Sequence, residues 1–292
     1  MIIEAATMGD SEALLRSAAE RLRKARIDSP RREARLLLAF ALGIGHGDLA
    51  TRRIFVEQSA AETFASYVER RANREPLAYI LETREFWSLD FAVAPGVLIP
   101  RPETEILVDA ALRKFSDRDA ALRVLDLGTG SGCLLLSFLS ERPHATGVGI
   151  DRSEAALAMA ARNARSLCLH DRVEFRLGDW TAGLTERYHV VLTNPPYIST
   201  GDLAYLAADI GYEPREALEG GPDGLNAYRR IAEELVAVLA PGGMAFVEIG
   251  LGQAGPVKQL FAAAKLNLDG TVCDLAGIPR CIMLRADQMR GP

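Results

Sequence analysis

An α/β fold is the class this 292-residue chain predicts: a doubly wound, mostly parallel sheet of seven strands preceded by a small all-helical N-terminal domain. Three observations carry that expectation. From Leu122 onward, short apolar runs alternate with helix-sized amphipathic segments, the pattern of successive strand–helix units. Up to Glu75, apolar residues recur at helical spacing with charges between them. Between the two regions lies a stretch with three prolines in eight residues, "PGVLIPRP", which reads as a rigid loop. A composition of 49% hydrophobic and 25% charged residues gives this plan the apolar material of an ordinary globular core.

In chain order, "SEALLRSAAERLRKARI" (11–27) places Leu14, Leu15, Ala18, Ala19 and Leu22 on one helical face. Ser29-Pro30 reads as an N-cap followed by proline at the first helical position, opening "RREARLLLAFALG". Ser59 and Glu62 have capping-box spacing ahead of another amphipathic helix. Residues 1–75 are thus expected to form a helical bundle, and 76–84, beginning "PLAYI", a linker. From Glu85, "EFWSLDFAV" alternates as a hairpin does, and the proline-rich loop completes a unit at 85–105. After the helical "TEILVDAALRKF" come seven strand candidates: "LRVLDLG", "ATGVGID", "RVEFRLGD", "HVVLTNPPY", "GGMAFVEIG", "GTVCDLAG" and "RCIMLRA". They assign 85–292 to one Rossmann-like domain.

Composition excludes several classes. The first ten residues have no basic start or long apolar run, so neither a signal nor a transit peptide is expected, and no apolar run reaches spanning length. Cys133, Cys168, Cys273 and Cys281 are scattered without a Cys-x-x-Cys pair, which indicates no metal site, no disulfide framework and a cytoplasmic location. The net charge is −5. Residues 76–292 carry 21 Lys/Arg against 28 Asp/Glu, which argues against a surface that grips a phosphate backbone.

In a doubly wound sheet, ligands lie beyond the carboxyl ends of the strands. Three features fall there. "DLGTGSG" ends the first strand of the sheet, with Asp126 at the tip and Gly128, Gly130 and Gly132 permitting close backbone approach. Asp151 ends the second, where a carboxylate accepts ribose hydroxyls. Asp179 and Trp180 end the third, an acid for an adenine amine and an indole to cover its ring. Together they point to an adenosine-containing ligand. The spacing G-x-G-x-G after an acid differs from the G-x-G-x-x-G of dinucleotide enzymes, whose pyrophosphate sits on a helix N-terminus. A cationic ligand without phosphates, such as S-adenosylmethionine, suits this corner better.

The fourth strand ends in Asn194-Pro195-Pro196-Tyr197, beside the first strand in a switch-point sheet. A planar amine acceptor donates two hydrogen bonds, which an Asn side-chain carbonyl and a proline backbone carbonyl accept. Prolines fix φ and carry no competing N–H, and Tyr197 packs on the planar group. The residues leave the acceptor open among adenine, cytosine and guanine amines and a glutamine side-chain amide. Lone Cys133, after the glycine loop, reads as a packing residue. Arg101 and Glu103 read either as partners of each other or as substrate contacts.

Beyond these features, "REFWSLDF", "VLIPRPETEILV", "DLGTGSG", "TNPPYI", "YEPREAL", "GGPDGL" and "EIG" with Gln253 occur in the order in which they resemble the release-factor glutamine methyltransferase family (PrmC, also called HemK), from about Pro76 to Arg285. The resemblance implies methylation of the side-chain amide nitrogen of the Gly-Gly-Gln glutamine in peptide-chain release factors. S-adenosyl-L-methionine would be the cofactor and S-adenosyl-L-homocysteine the product. It implies cofactor positions at Asp126, Gly128, Thr129, Gly130, Gly132, Asp151, Asp179, Trp180 and Asn194, catalytic positions at Asn194, Pro195, Pro196 and Tyr197, and an active-site wall at Arg101, Pro102, Glu103 and Thr104. Release factors are the expected partners of a monomer without membrane or direct nucleic-acid contact, and residues 1–75 their docking domain. The alternative is an adenine or rRNA guanine exocyclic-amine methyltransferase sharing Asn-Pro-Pro-Tyr. One departure is visible: the family usually has glycine after Tyr-Ile-Leu, where this chain has Glu82.

Overall fold

The structure is a computed structural model that describes residues 9–45, 47–51 and 54–286. It divides into two compact units, Met1–Thr83 with Ala207–Tyr212, and Arg84–Leu206 with Glu213–Pro292.

In the first unit, α1 (Ser11–Lys24) is capped by Asp10, whose side chain accepts from the Glu12 N–H at 3.2 Å. Helix α2 (Pro30–Leu42) starts with proline at its first position and ends on Gly43 at φ +64°. The short α3 (Asp48–Thr51) precedes α4 (Gln58–Ala72) and α5 (Leu77–Leu81). Strands β1 (Gly9–Asp10) and β2 (Phe55–Val56) pair antiparallel. Leu22, Leu37, Leu38, Phe64, Val68 and Ile80 form the core.

Ser29 stands at the cap position of α2, as expected, without a side-chain cap bond. Two expectations are corrected here. Ser59 is not a cap: α4 begins two residues before the start a Ser59 cap would give, after Glu57, and Gln58 rather than Ser59 bonds Glu62, at 2.9 Å. Residues 76–84 are not a linker, because α5 packs Leu77, Ile80 and Leu81 into the helical core, and the boundary falls after Thr83. Glu82 closes α5 at φ +55°, so the turn keeps the left-handed conformation that favours glycine. Buried Arg71 holds the segment 207–212 within this unit, pairing with Glu33 at 2.6 Å and Asp209 at 2.8 Å.

The second unit opens with the hairpin β3 (Thr83–Phe86) and β4 (Leu89–Ala92), joined through Trp87 and Ser88, both at positive φ as a two-residue hairpin turn requires. The chain continues as α6 (Glu105–Lys114), β5 (Arg123–Leu127), α7 (Cys133–Glu141), β6 (Thr146–Asp151), α8 (Glu154–Ser166), β7 (Val173–Leu177), β8 (Tyr188–Thr193), α9 (Asn226–Val238), β9 (Leu239–Glu248), α10 (Ala254–Ala263), β10 (Leu266–Cys273) and β11 (Pro279–Ala286). Every predicted strand is present, in one sheet of order β10-β11-β9-β8-β5-β6-β7. Strands β9 to β7 in that order run parallel, while β11 lies antiparallel to both β9 and β10.

Successive residues of the central strands face opposite layers, as the period-two geometry of a strand dictates. Val190, Leu192 and Phe246 join Leu135 and Phe138 of α7 on one side, whereas Val191 and Val247 join Tyr228 and Ile231 of α9 and Phe261 of α10 on the other. With both faces covered, the sheet offers its strand ends for function. The connections reverse direction at β5, flanked by β6 and β8, and that switch point locates the ligand crevice. Among the described residues, no helix is long and apolar enough to cross a membrane.

Candidate active site

A cleft of about 1130 Å³, open mouth included, lies within the second unit beyond the carboxyl ends of β5, β6 and β8. On its cofactor side, Gly128, Thr129 and Gly130 follow β5 along the wall. Asp151 at the end of β6 fixes this loop, accepting from the Gly130 N–H at 2.9 Å, and also accepts from the Ser153 N–H at 2.9 Å. Asp179 and Trp180 line the cleft after β7, with Asp179 also 3.4 Å from Arg230.

Asp126 is fully buried beneath the loop and does not reach the lining. Thr129 Oγ1 donates to its Oδ2 at 2.7 Å, and its Oδ1 has no hydrogen-bond partner. Burial pushes its pKa up to about 7, against the Thr129 and Leu135 hydrogen bonds that favour the anion. Gly132 also lies off the lining. A Cβ there would stand 3.1 Å from Leu136 and 3.2 Å from Ala160, so this glycine permits helix packing rather than ligand approach. Cys133 lines the cleft half-buried, and burial pushes its thiol up to about 12, so it is no nucleophile at neutral pH.

At the tip of β8, Thr193 Oγ1 donates to the Leu127 carbonyl at 2.8 Å, tying the fourth strand to the first just before Asn194. Asn194 and Pro196 line the cleft, while Pro195 is buried behind them. Asn194 Nδ2 donates to Thr104 Oγ1 at 3.2 Å. Tyr197 lies off the lining, its ring against the α9–α10 layer and its hydroxyl donating to Glu248 Oε1 at 3.4 Å. Ile198 then exchanges backbone hydrogen bonds with Leu218 and Gly220 at 2.9 and 2.8 Å. Gly224 seals the turn: at φ +74°, a Cβ there would stand 2.4 Å from the Tyr197 carbonyl.

The opposite wall runs from Gly96 to Arg101 and includes Thr104, but Pro102 and Glu103 face solvent and lie off the lining. Arg101 pairs with Glu213, not with Glu103. Glu213 is buried and also accepts from the Ile99 N–H at 3.0 Å. Asn163, buried on α8, clips the hairpin to the glycine loop: its Oδ1 accepts from the Ala92 N–H at 2.8 Å, and its Nδ2 donates to the Ala92 carbonyl at 3.1 Å and the Ser131 carbonyl at 2.9 Å.

Glu248, Glu213 and Asn163 were not singled out from sequence. Each is a buried polar side chain in a segment that reads as strand, loop or helix, and its role depends on partners distant in the chain. Their signal was the improbability of a charge or amide inside an apolar run, as in Glu248 after "GMAFV".

The residues present fit S-adenosylmethionine. A buried carboxylate with one oxygen, Asp126 Oδ1, left without a partner under the glycine loop suits a cation, and Asp151, Asp179 and Trp180 are acids and an aromatic suited to a nucleoside. Sheet order, cleft and the Asn194-Pro195-Pro196-Tyr197 strand end together define the class, an S-adenosylmethionine-dependent methyltransferase.

A methyltransferase domain model matches residues 118–250, and a PrmC N-terminal domain model matches residues 13–81. The chain is 44% identical to the release factor glutamine methyltransferase of Caulobacter vibrioides, over 94% of this chain and 96% of that protein. It is 42% identical to that of Rhodospirillum rubrum, over 93% and 84%. A methyltransferase structure from Pyrococcus furiosus, 16% identical with a TM-score of 0.52 over 74% of this chain and 97% of that one, shares the fold. The chain belongs to the release factor glutamine methyltransferase family.

Proposed function

We propose that this enzyme methylates the side-chain amide nitrogen of the glutamine in the Gly-Gly-Gln motif of peptide-chain release factors. The observation that carries the reading is the orientation of Asn194. Its Nδ2 is engaged by Thr104, so its Oδ1 remains to accept an N–H from a planar amide in the cleft. The Pro195 carbonyl takes the second N–H. Two acceptors on the amide nitrogen restrain its plane and favour the geometry in which the lone pair is released toward the methyl donor.

S-adenosylmethionine, when bound, would supply an electrophilic methyl on a sulfonium, with S-adenosylhomocysteine as the product. The chain's residues do the rest: Gly128, Gly130, Asp151, Asp179 and Trp180 hold the nucleoside end, and Asp126 supplies negative charge below the loop. Asn194 and Pro195 hold the acceptor, with Pro196 and Tyr197 keeping the clamp rigid. Arg101 and Thr104 form the facing wall. The amide nitrogen gains a methyl and releases one proton to solvent, which carries away the charge the sulfonium brought. Holding both reactants in line contributes on the order of 7 to 11 kcal/mol to lowering such a barrier.

The helical unit serves as the docking domain for the release factor, and the protein acts as a cytoplasmic monomer without direct nucleic-acid binding. Support for the last point is the excess of acidic residues over 76–292. The test is transfer of labelled methyl from S-adenosylmethionine to a purified release factor, beside a variant whose Gly-Gly-Gln glutamine is replaced. Label on the first and none on the second is expected. Label on RNA or DNA and on neither protein overturns the acceptor assignment.

A further inference from the structure

Glu213 stands in a stretch that reads as loop, "YEPREAL", yet its side chain is only 2% exposed. A buried carboxylate persists in a protein when donors satisfy its oxygens. Each oxygen of Glu213 has one: Oε2 accepts from the Ile99 N–H at 3.0 Å, and Oε1 accepts from Arg101 Nη2. Both donors belong to the wall that runs from Gly96 to Arg101. Ile99 and Arg101 line the cleft, and Glu213 holds them from off the lining.

Two routes of hydrogen bonds lead from Glu213 to the Asn-Pro-Pro-Tyr clamp. The first runs through the wall. The Arg101 carbonyl accepts from the Thr104 N–H at 3.0 Å, closing the turn that carries Thr104, whose Oγ1 accepts from Asn194 Nδ2 at 3.2 Å. The second runs along the chain. A 3-10 turn at Arg215–Ala217 follows Glu213, with the Leu218 and Glu219 N–H groups donating to the Arg215 carbonyl at 3.0 and 2.9 Å. The Leu218 carbonyl accepts from the Ile198 N–H at 2.9 Å, and the Gly220 N–H donates to the Ile198 carbonyl at 2.8 Å. Gly220 lies so close that a Cβ there would stand 2.8 Å from the Pro196 carbonyl oxygen. Asn194 and Ile198 bracket the clamp, so both of its ends trace back to one buried carboxylate.

We infer that Glu213 is a positioning residue that sets the separation between Asn194 and the wall facing it, and with it the fit of the acceptor amide. This rests on the reading of Asn194 as the acceptor clamp. The nucleoside end of the cleft is fixed separately, by the Gly130 N–H donating to Asp151 at 2.9 Å, so a fault at Glu213 reaches the acceptor and spares the cofactor. Glu213→Gln probes this with almost no change in volume. An amide has one oxygen, so its NH2 must face either the Ile99 N–H or the Arg101 guanidinium, both of them donors. One wall contact is lost whichever way it turns.

The experiment measures kcat for release-factor methylation, at saturating cofactor and release factor, for wild type, E213Q, N194A and the E213Q/N194A double variant, with S-adenosylhomocysteine binding in parallel. A small displacement of an oriented reactant is enough to slow a reaction severely, and E213Q should lower kcat roughly tenfold. Its Kd for S-adenosylhomocysteine should stay within about twofold of wild type. In the N194A background the same substitution should lower kcat by less than about twofold, because the group that Glu213 positions is already gone. A merely structural role would not show this dependence on Asn194. Should E213Q fail to fold, R101M, which removes the donor to Oε1 and keeps the carboxylate, is compared with R101M/N194A by the same criteria. An E213Q enzyme with wild-type kcat, a tenfold loss that persists in the N194A background, or a loss of cofactor affinity as large as the loss of kcat overturns the inference. Absence of methylation by wild type, or an N194A enzyme as fast as wild type, would instead reject the underlying reading of the clamp, and this inference with it.

Discussion

Gln253 Nε2 donates to the carbonyl of Tyr197 at 2.9 Å, so the end of the Asn-Pro-Pro-Tyr clamp is held by a side chain just ahead of α10. The same amide faces the Gly224 carbonyl at 3.4 Å, while its oxygen accepts from the Gly250 N–H at 3.0 Å and the Tyr228 hydroxyl at 3.3 Å. Both ends of Gln253 are used, and the donor end meets carbonyls. Gln253→Glu would turn a carboxylate toward two carbonyl oxygens. It is expected to lower stability by about 2 to 4 kcal/mol and to reduce kcat, while Gln253→Ala costs about 1 to 3 kcal/mol. Chemical denaturation of the three proteins orders them; equal midpoints would show that the clamp is held by its prolines alone.

Asn194 makes the most direct prediction for catalysis. In the proposed mechanism Asn194→Ala removes the acceptor that holds the reacting nitrogen, so it should raise the barrier by about 3 kcal/mol, more than a hundredfold in kcat. Cofactor affinity should change little, because Gly128, Asp151 and Trp180 are untouched. Parallel measurement of turnover and of S-adenosylhomocysteine binding separates the two effects. Near-normal turnover would remove the clamp from the mechanism.

Glu82 predicts a gain. A non-glycine residue at φ +55° carries strain of about 1 kcal/mol, part of which Glu82→Gly returns to the greater freedom of the unfolded chain. A stabilisation of about 0.5 kcal/mol is expected, read as a rise in Tm. A fall would mean that contacts of the Glu82 side chain outweigh its backbone cost.

Much of this was legible in the chain. The alternation of Val190, Val191 and Leu192 announces a strand covered on both faces, and every strand of the sheet was found because such runs need no distant partner to be recognised. The glycine loop and Asn194 were legible because their backbone or side-chain demands are local. Gly132 misled because glycine serves helix packing as readily as ligand approach. The partner of the Tyr197 hydroxyl, a buried carboxylate fifty-one residues on, was not legible because no local pattern announces it. The boundary near Pro76 misled because proline reads as a break, whereas here it stands at the cap of α5, which returns Ile80 to the helical core. Glu213 holding Ile99 across the sequence, and Asn163 holding Ala92, are tertiary facts that no local pattern announces.

Asp126 ties cofactor affinity to pH. Its folded-state pKa, raised by burial to about 7, exceeds its ordinary value of 3.8, so its stabilising contribution is full below about pH 4 and lost as pH rises through 7. Above pH 7 the free enzyme carries a buried anion with Oδ1 unpaired, and a cationic ligand over the glycine loop offsets that cost. Binding of S-adenosylmethionine should therefore be tightest above pH 7 and weaken by up to about tenfold per pH unit below it, the slope of one linked proton. The thermal shift it causes should grow over the same range. Asp126→Asn should stabilise the free enzyme at pH 8 and flatten the pH dependence of cofactor binding, at the expense of affinity above pH 7. Isothermal titration from pH 5.5 to 8.5 measures the slope. A wild-type affinity that does not vary with pH would mean that Asp126 stays ionised in the free enzyme, with a partner for Oδ1 already in place.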